Sequence, residues 1–118
     1  MKTSEAIMAF SQSEKIKSGL IWASQSMEIA NNASGQEKQG AEKIIRALIS
    51  MILHEIQLAK NVAGKEAWND IEKDIERAVI MIDSGVGPES IHHMTQGLSK
   101  VTTIGQNSMM LLQKEGLI

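Results

Sequence analysis

Apolar residues recur at alternating steps of three and four positions along almost the whole chain. No stretch alternates apolar and polar residues at every second position, as a half-buried strand would. The period of about 3.6 therefore predicts four amphipathic helices. Their apolar stripes are Ala6, Ala9, Ser13, Ile16, Leu20, Ala23, Met27 and Ala30; Ala41, Ile45, Leu48, Ile52, Ile56, Ala59 and Ala63; Trp68, Ile71, Ile75, Ala78 and Ile82; and Ile91, Met94, Leu98, Val101, Gly105, Ser108 and Leu112.

Turn-forming residues separate the four stripes. Ser34 and Glu37 form a capping box, in which a hydroxyl and a carboxylate accept hydrogen bonds from free amides at a helix start. Gly64 can end the second helix and Gly85 the third, because glycine adopts the left-handed conformation at little cost. Pro88 suits the first position of the fourth helix, where an amide has no partner. Such short loops favour antiparallel neighbours, so we expect an all-α, up-down antiparallel four-helix bundle.

Two further capping boxes bear on the helix boundaries. One begins at Asn69, so the third helix starts between Lys65 and Asn69 and is shorter than the others, at roughly 25 Å against roughly 40 Å. Another begins at Ser11, which leaves open a separate N-terminal helical arm over residues 1–10, although one continuous first helix is favoured. Residues 1–118 are the size of a single domain.

Composition restricts the classes of partner and cofactor. Apolar residues make up 42% of the chain, which suits a globular protein, and there is no cysteine for a disulfide or a thiolate metal site. The net charge of -2, with basic and acidic residues intermixed, does not favour nucleic acid binding. The most apolar stretch, 44–53, is short and contains Arg46, so no membrane span is expected. The N-terminus has no secretory-signal pattern, and we expect a cytoplasmic protein.

Apolar residues outside the four stripes indicate an association surface. The fourth helix is predicted to extend past the third and to carry apolar residues there, and the first helix has apolar residues on its reverse side. Tryptophan on such a reverse side is typical of interfaces, although a broad inner face could also take it in. The expected partner is a second copy or another helical protein. The candidate interface residues are Ile7, Ile21, Trp22, Ile29, Met109, Met110, Leu111 and Leu117.

Two of the three histidines, His92 and His93, are adjacent. Adjacent positions lie 100° apart on a helix, so the two rings cannot share one metal ion. Glu89 and His92 have the spacing used by di-iron bundles, but those sites need a second such pair and two more glutamates. After His54 and Glu55, Leu58 stands where the second histidine of a zinc motif belongs. We therefore expect neither a metal site nor a cofactor.

His93 lies beside the fourth stripe, with Gly97 four residues later and Lys100 on the same side. This arrangement resembles the histidine phosphotransfer domains, which are four-helix bundles of similar size. The resemblance implies that an imidazole nitrogen accepts a phosphoryl group and that Gly97 leaves room for a response regulator. Gln96 stands where the family has a lysine, and the family places this helix early in the bundle, whereas here it is the last.

The remaining polar residues and the glycines of the fourth helix are expected to serve solvation and packing rather than chemistry. Glu55 falls within the apolar arc of the second helix, and we expect it to reach solvent or a lysine on a neighbouring helix. The acidic residues of the third helix, Asp74 among them, are expected to be solvated. Gly97 and Gly105 indicate close approach of a neighbouring helix, with Trp22 or Trp68 as the expected contact.

The sequence contains no phosphate-binding glycine loop, no nucleophile elbow and no convergent acid–base set. We therefore expect a non-enzymatic protein that works by association, as a homodimeric adaptor, scaffold or chaperone-like bundle. Small flagellar secretion chaperones are similar in architecture alone. Phosphoryl transfer through His93 is the alternative.

Overall fold

A computed structural model describes all 118 residues and contains four helices and no strand. The helices are α1 (Thr3–Asn31), α2 (Gly35–Lys60), α3 (Lys65–Asp83) and α4 (Gly87–Lys114). With 19 residues, α3 is the shortest, as predicted, since the others have 26 to 29. None of the four combines the length and the apolar composition that crossing a membrane requires.

Each helix packs against two neighbours. Helix α1 contacts α2 and α4, and α3 contacts the same two helices from the opposite side. The packed positions run in opposite directions along adjacent helices: Gly105 of α4 lies at Ser13 near the start of α1, and Gly87 lies at Asn31 at its end. The predicted up-down antiparallel four-helix bundle is confirmed.

The core follows the predicted stripes closely in α1 and α3. All eight residues of the first stripe and all five of the third are buried. In α2 the core includes Ile49, which the second stripe omitted, while Leu48 is partly exposed. In α4 the buried side is shifted from the predicted stripe, because Ser90 and Gly97 are buried while Ile91 and Leu98 are only partly buried. Apolar burial along these stripes is the main stabilising term of the bundle.

The helix starts lie where the sequence predicts them, but the capping boxes that were expected to mark them do not form. Ser34 does precede α2, but its hydroxyl makes no capping hydrogen bond. Helix α3 begins at Lys65, at the early limit of the predicted range, so Asn69 lies inside it. Ser11 lies inside α1, so the continuous first helix that the sequence favours is the one observed, and it buries Ala6. A capping box stabilises a helix only where the preceding chain leaves the helical conformation, and local sequence does not fix that point.

The glycines at the helix ends are partly as predicted. Gly85 has a φ of +79° and ends α3, with the amide of Val86 donating to the carbonyl of Met81 at 2.9 Å, as in a Schellman motif. Gly64 is also left-handed, with a φ of +70°, but it lies directly before α3, whereas α2 has already ended at Lys60.

Glycines inside α4 allow close helix packing, but not against tryptophan. A Cβ at Gly97 would lie 2.9 Å from Ile75 Cδ1, and one at Gly105 would lie 2.8 Å from Ser13 Oγ. The expectation of close approach is therefore confirmed, and the expected contacts, Trp22 and Trp68, are wrong. The partners are a branched apolar residue on α3 and a serine on α1.

Candidate association surface

Helix α1 carries a second row of residues on its solvent side, at intervals of seven. The row consists of Met8, Lys15, Trp22 and Ile29. Seven residues are nearly two helical turns, so these side chains lie almost on one line along the helix. Trp22 is 62% exposed and Ile29 74% exposed. Trp22 and Ile29, two of the predicted interface residues, are therefore exposed to solvent, and Trp22 is not part of the bundle core.

Helix α2 has a matching row that was not among the predicted interface residues. It consists of Ile44, Met51 and Leu58, again at intervals of seven. Ile44 is 73% exposed and Met51 60% exposed. The spacing was readable in the sequence, but only the packing of α2 against α1 places the two rows on the same side of the molecule.

Two shallow grooves between α1 and α2 join these rows into one surface. A groove of about 530 Å³ lies between Trp22 and Met51, and a second of about 260 Å³ lies between Ile29 and Ile44. Leu48 lines both grooves and so links them. We call Trp22, Ile29, Ile44, Leu48 and Met51 the outer face. The most exposed large apolar residues of the two helices therefore lie together and surround Leu48.

A polar cluster lies at one end of the outer face. Lys15 Nζ lies 2.8 Å from Glu55 Oε1, and Gln12 Nε2 donates to Glu55 Oε2 at 3.0 Å. The Lys15 hydrogen bond, followed by that of Gln12, holds the pKa of Glu55 below its ordinary value of 4.5. Glu55 thus reaches a lysine on the neighbouring helix, as expected. The cluster links α1 to α2 and carries no net charge.

The other predicted interface residues are not part of the outer face. Ile7 is exposed near the start of α1, beyond the polar cluster, and Ile21 is only half-buried, 100° around the helix from Trp22. The predicted set therefore does not form one surface.

The predicted residues of α4 lie near the start of α1. Because Gly97 lies against Ile75, α4 continues about two turns past the beginning of α3. This extension places Met109 beside Phe10 of α1 and leaves Met110 and Leu117 well exposed, with Leu111 half-buried. The extension was predicted, and it forms a second, separate apolar area at one end of the bundle.

His93 lies half-buried on α4, and its Nδ1 is shielded from solvent without a hydrogen-bond partner. Gly97, one turn later, is buried against α3. It therefore provides close helix packing, whereas the resemblance to phosphotransfer domains implies open surface at this position. Lys100 Nζ lies 2.7 Å from Asp74 Oδ2, so this ammonium group already has a carboxylate partner.

Asp74 corrects the expectation that the acidic residues of α3 are all solvated. It is only 1% exposed, and Arg77 Nη1 lies 3.4 Å from its Oδ1, in addition to the Lys100 contact. Both cations are themselves about half exposed. A buried carboxylate needs such partners because its desolvation is costly. This ion pair connects α3 to α4 at the level of Gly97.

No group of three or more His, Asp or Glu side chains is placed to hold a metal ion. Comparison of the chain with protein-family models, with curated proteins and with solved structures finds no match. The candidate site is an exposed apolar surface on α1 and α2, bounded at one end by a neutral polar cluster.

Proposed function

We propose that this protein acts by protein–protein association rather than by catalysis, as a homodimeric adaptor, scaffold or chaperone-like bundle. The observation that supports the proposal is the outer face, where large apolar side chains of two neighbouring helices lie side by side and are exposed to solvent. Contiguous apolar patches of this kind are uncommon on monomeric proteins and mark interaction surfaces. Scattered exposed apolar residues would carry no such argument.

The residue types fit the same proposal. Tryptophan is enriched at the energetic centres of interfaces, and Trp22 lies beside the larger groove. Methionine adapts its unbranched side chain to different neighbours, and Met51 lines the same groove. Burying these side chains on a partner removes their apolar area from water, which is the main favourable term of association.

Solution mass tests the proposal directly. We expect light scattering after chromatography to show a mass that rises from the 12.9 kDa of one chain as concentration increases. Trp22→Glu should abolish that rise, because a carboxylate in the contact would be buried without a partner. A mass of one chain at every concentration would contradict the homodimer.

Ile80→Glu provides the matched control for this experiment. Ile80 is a large apolar residue on α3, is 55% exposed, and lies outside the outer face. The same charge is introduced at a similar exposure, so any general effect on folding or solubility appears in both variants. We expect Ile80→Glu to retain the concentration-dependent mass. Equal loss of association in both variants would remove the outer face from the proposal.

Phosphoryl transfer through His93 is the second candidate function. The observation in its favour is a half-buried imidazole whose Nδ1 has no hydrogen-bond partner. Incubation with acetyl phosphate and intact-mass measurement tests it, with His93→Gln as the control. A gain of one phosphoryl mass in the wild type alone would favour this function. Equal masses in the two proteins would remove it.

A further inference from the structure

We infer that the outer face is covered by the same face of a second copy of this chain, in a two-fold symmetric dimer. This inference rests on the proposed association function and adds which surface is buried and what covers it. It adds α2 to the interface, through Ile44 and Met51, and it assigns no role in this dimer to the apolar end of α4.

The spacing of the exposed residues indicates a helical partner. Apart from Lys15, both rows place an apolar residue at every seventh position, and a repeat of seven keeps apolar side chains in contact with a neighbouring helix that coils gently around them. Two such rows lie side by side with grooves between them, so the surface fits a pair of helices. The α1–α2 hairpin of a second copy is a pair of this kind.

The charges of the surface are compatible with pairing to an identical surface. In a two-fold symmetric contact residue i of one copy meets residue j of the other and j meets i, so a charge near the axis meets its own copy and is tolerated there only if its own chain compensates it. Lys15 is the one charged residue in the two rows, and Glu55 pairs with it at 2.8 Å within the same chain. Gln12 occupies the remaining carboxylate oxygen. The cluster can therefore approach a second copy without bringing an unpaired charge into the contact.

The outer face, continued past the polar cluster to Met8 and Leu58 at the far ends of the two rows, has nearly the dimensions of a standard interface. From Met8 to Ile29 the α1 row spans about 32 Å, and two adjacent helices are about 20 Å wide, which gives a projected area of about 640 Å². The relief of exposed side chains raises the accessible area further. The result approaches the ~800 Å² per partner that standard specific interfaces bury.

The two tryptophans make the inference measurable in the unmodified protein. Trp68 is only 1% exposed, so iodide in solution can quench the fluorescence of Trp22 alone. We expect Trp22 to be quenched at low protein concentration and protected at high concentration. Protection should follow the same concentration dependence as the mass, and the mass should stop at two chains.

Ile44→Glu tests the contribution of α2, and Ile80→Glu again serves as the control. We expect Ile44→Glu to weaken dimer formation by at least about tenfold and to keep Trp22 quenchable, while circular dichroism shows an unchanged helix content. A dimer in which Trp22 stays quenchable, or one unaffected by Ile44→Glu, would overturn this inference and leave the association function standing. Growth beyond two chains would contradict the two-fold arrangement, and a monomer at all concentrations would overturn both proposals.

Discussion

The inner and outer sides of helix α1 differ in the size of their residues. The inner side combines three medium-sized apolar residues, Ile16, Leu20 and Met27, with four buried alanines, and the solvent side carries Trp22. In most amphipathic helices the large apolar residues face the core. Here the inner side is filled by medium-sized and small residues, while Trp22, the largest side chain of the helix, remains outside with Ile29. The internal packing of α1 is therefore complete without these two side chains.

The two tryptophans show the same contrast between buried and exposed apolar residues. Trp68 belongs to the core cluster and is almost fully buried, whereas Trp22 is mostly exposed beside the larger groove. The same side chain therefore stabilises the fold at one site and is available for association at the other. Measurements that compare matched substitutions at the two sites separate folding from association.

The largest effect is expected for Trp68→Ala, which should lower the free energy of unfolding by about 3–5 kcal/mol because it leaves a cavity in the core. Trp22→Ala at the same dilute concentration should change it by less than about 0.5 kcal/mol. Urea denaturation followed by circular dichroism measures both. Similar losses in the two variants would mean that Trp22 also stabilises the monomer.

A smaller effect is expected where α4 approaches α1. Gly105→Leu should lower the free energy of unfolding by about 1–3 kcal/mol, because the added side chain meets Ser13 and must separate the two helices. Gly40→Leu is the matched control, since a Cβ at Gly40 in α2 meets nothing within 4 Å. The free energy of unfolding of Gly40→Leu should rise by up to about 1 kcal/mol, because leucine has a higher helix propensity than glycine. Thermal or urea unfolding measures the stability of both variants. If Gly105→Leu stabilised the protein as much as Gly40→Leu, close packing at Gly105 would be refuted.

The smallest effect concerns the polar cluster beside the outer face. The pKa of Glu55 is lowered in the folded protein, so the ionised group stabilises the fold above its ordinary pKa of 4.5 and loses this contribution as the pH falls through the lower, folded value. At pH 7 the free energy of unfolding of the wild type should exceed that of Glu55→Gln by less than about 1 kcal/mol. The difference should vanish in acid. A difference that persists well below pH 4 would mean that the carboxylate charge is not its cause.

The architecture was predictable because it depends on residue order along single helices. The stripes of α1 and α3 have the helical period, and every predicted member of both is buried. Gly85 ends α3 as expected, since a left-handed residue there satisfies the last carbonyl groups. The false capping boxes at Ser11 and Asn69 show the limit of this reasoning, because the same short motif occurs inside helices that simply continue.

The site was less predictable because it depends on how helices are placed beside each other. Trp22 and Ile29 were identified from α1 alone, but Ile44 and Met51 become part of the same surface only once α2 packs beside them. Asp74 was missed for a similar reason: its cation Lys100 is far along the chain, on α4. Periodicity gives the direction of a side chain on its own helix, whereas contacts between helices require their relative positions.

The elongated shape of the bundle gives the outer face a hydrodynamic consequence. The Cα atoms extend over 53 × 22 × 18 Å, so the monomer is a short rod. Pairing through the outer face would thicken this rod without lengthening it, so such a dimer would have a lower frictional ratio, its friction relative to that of a sphere of the same mass, than the monomer. Pairing through the apolar end of α4, at Met110 and Leu117, would instead double the length and raise the frictional ratio. The sedimentation velocity of a dimer would therefore report which surface is buried.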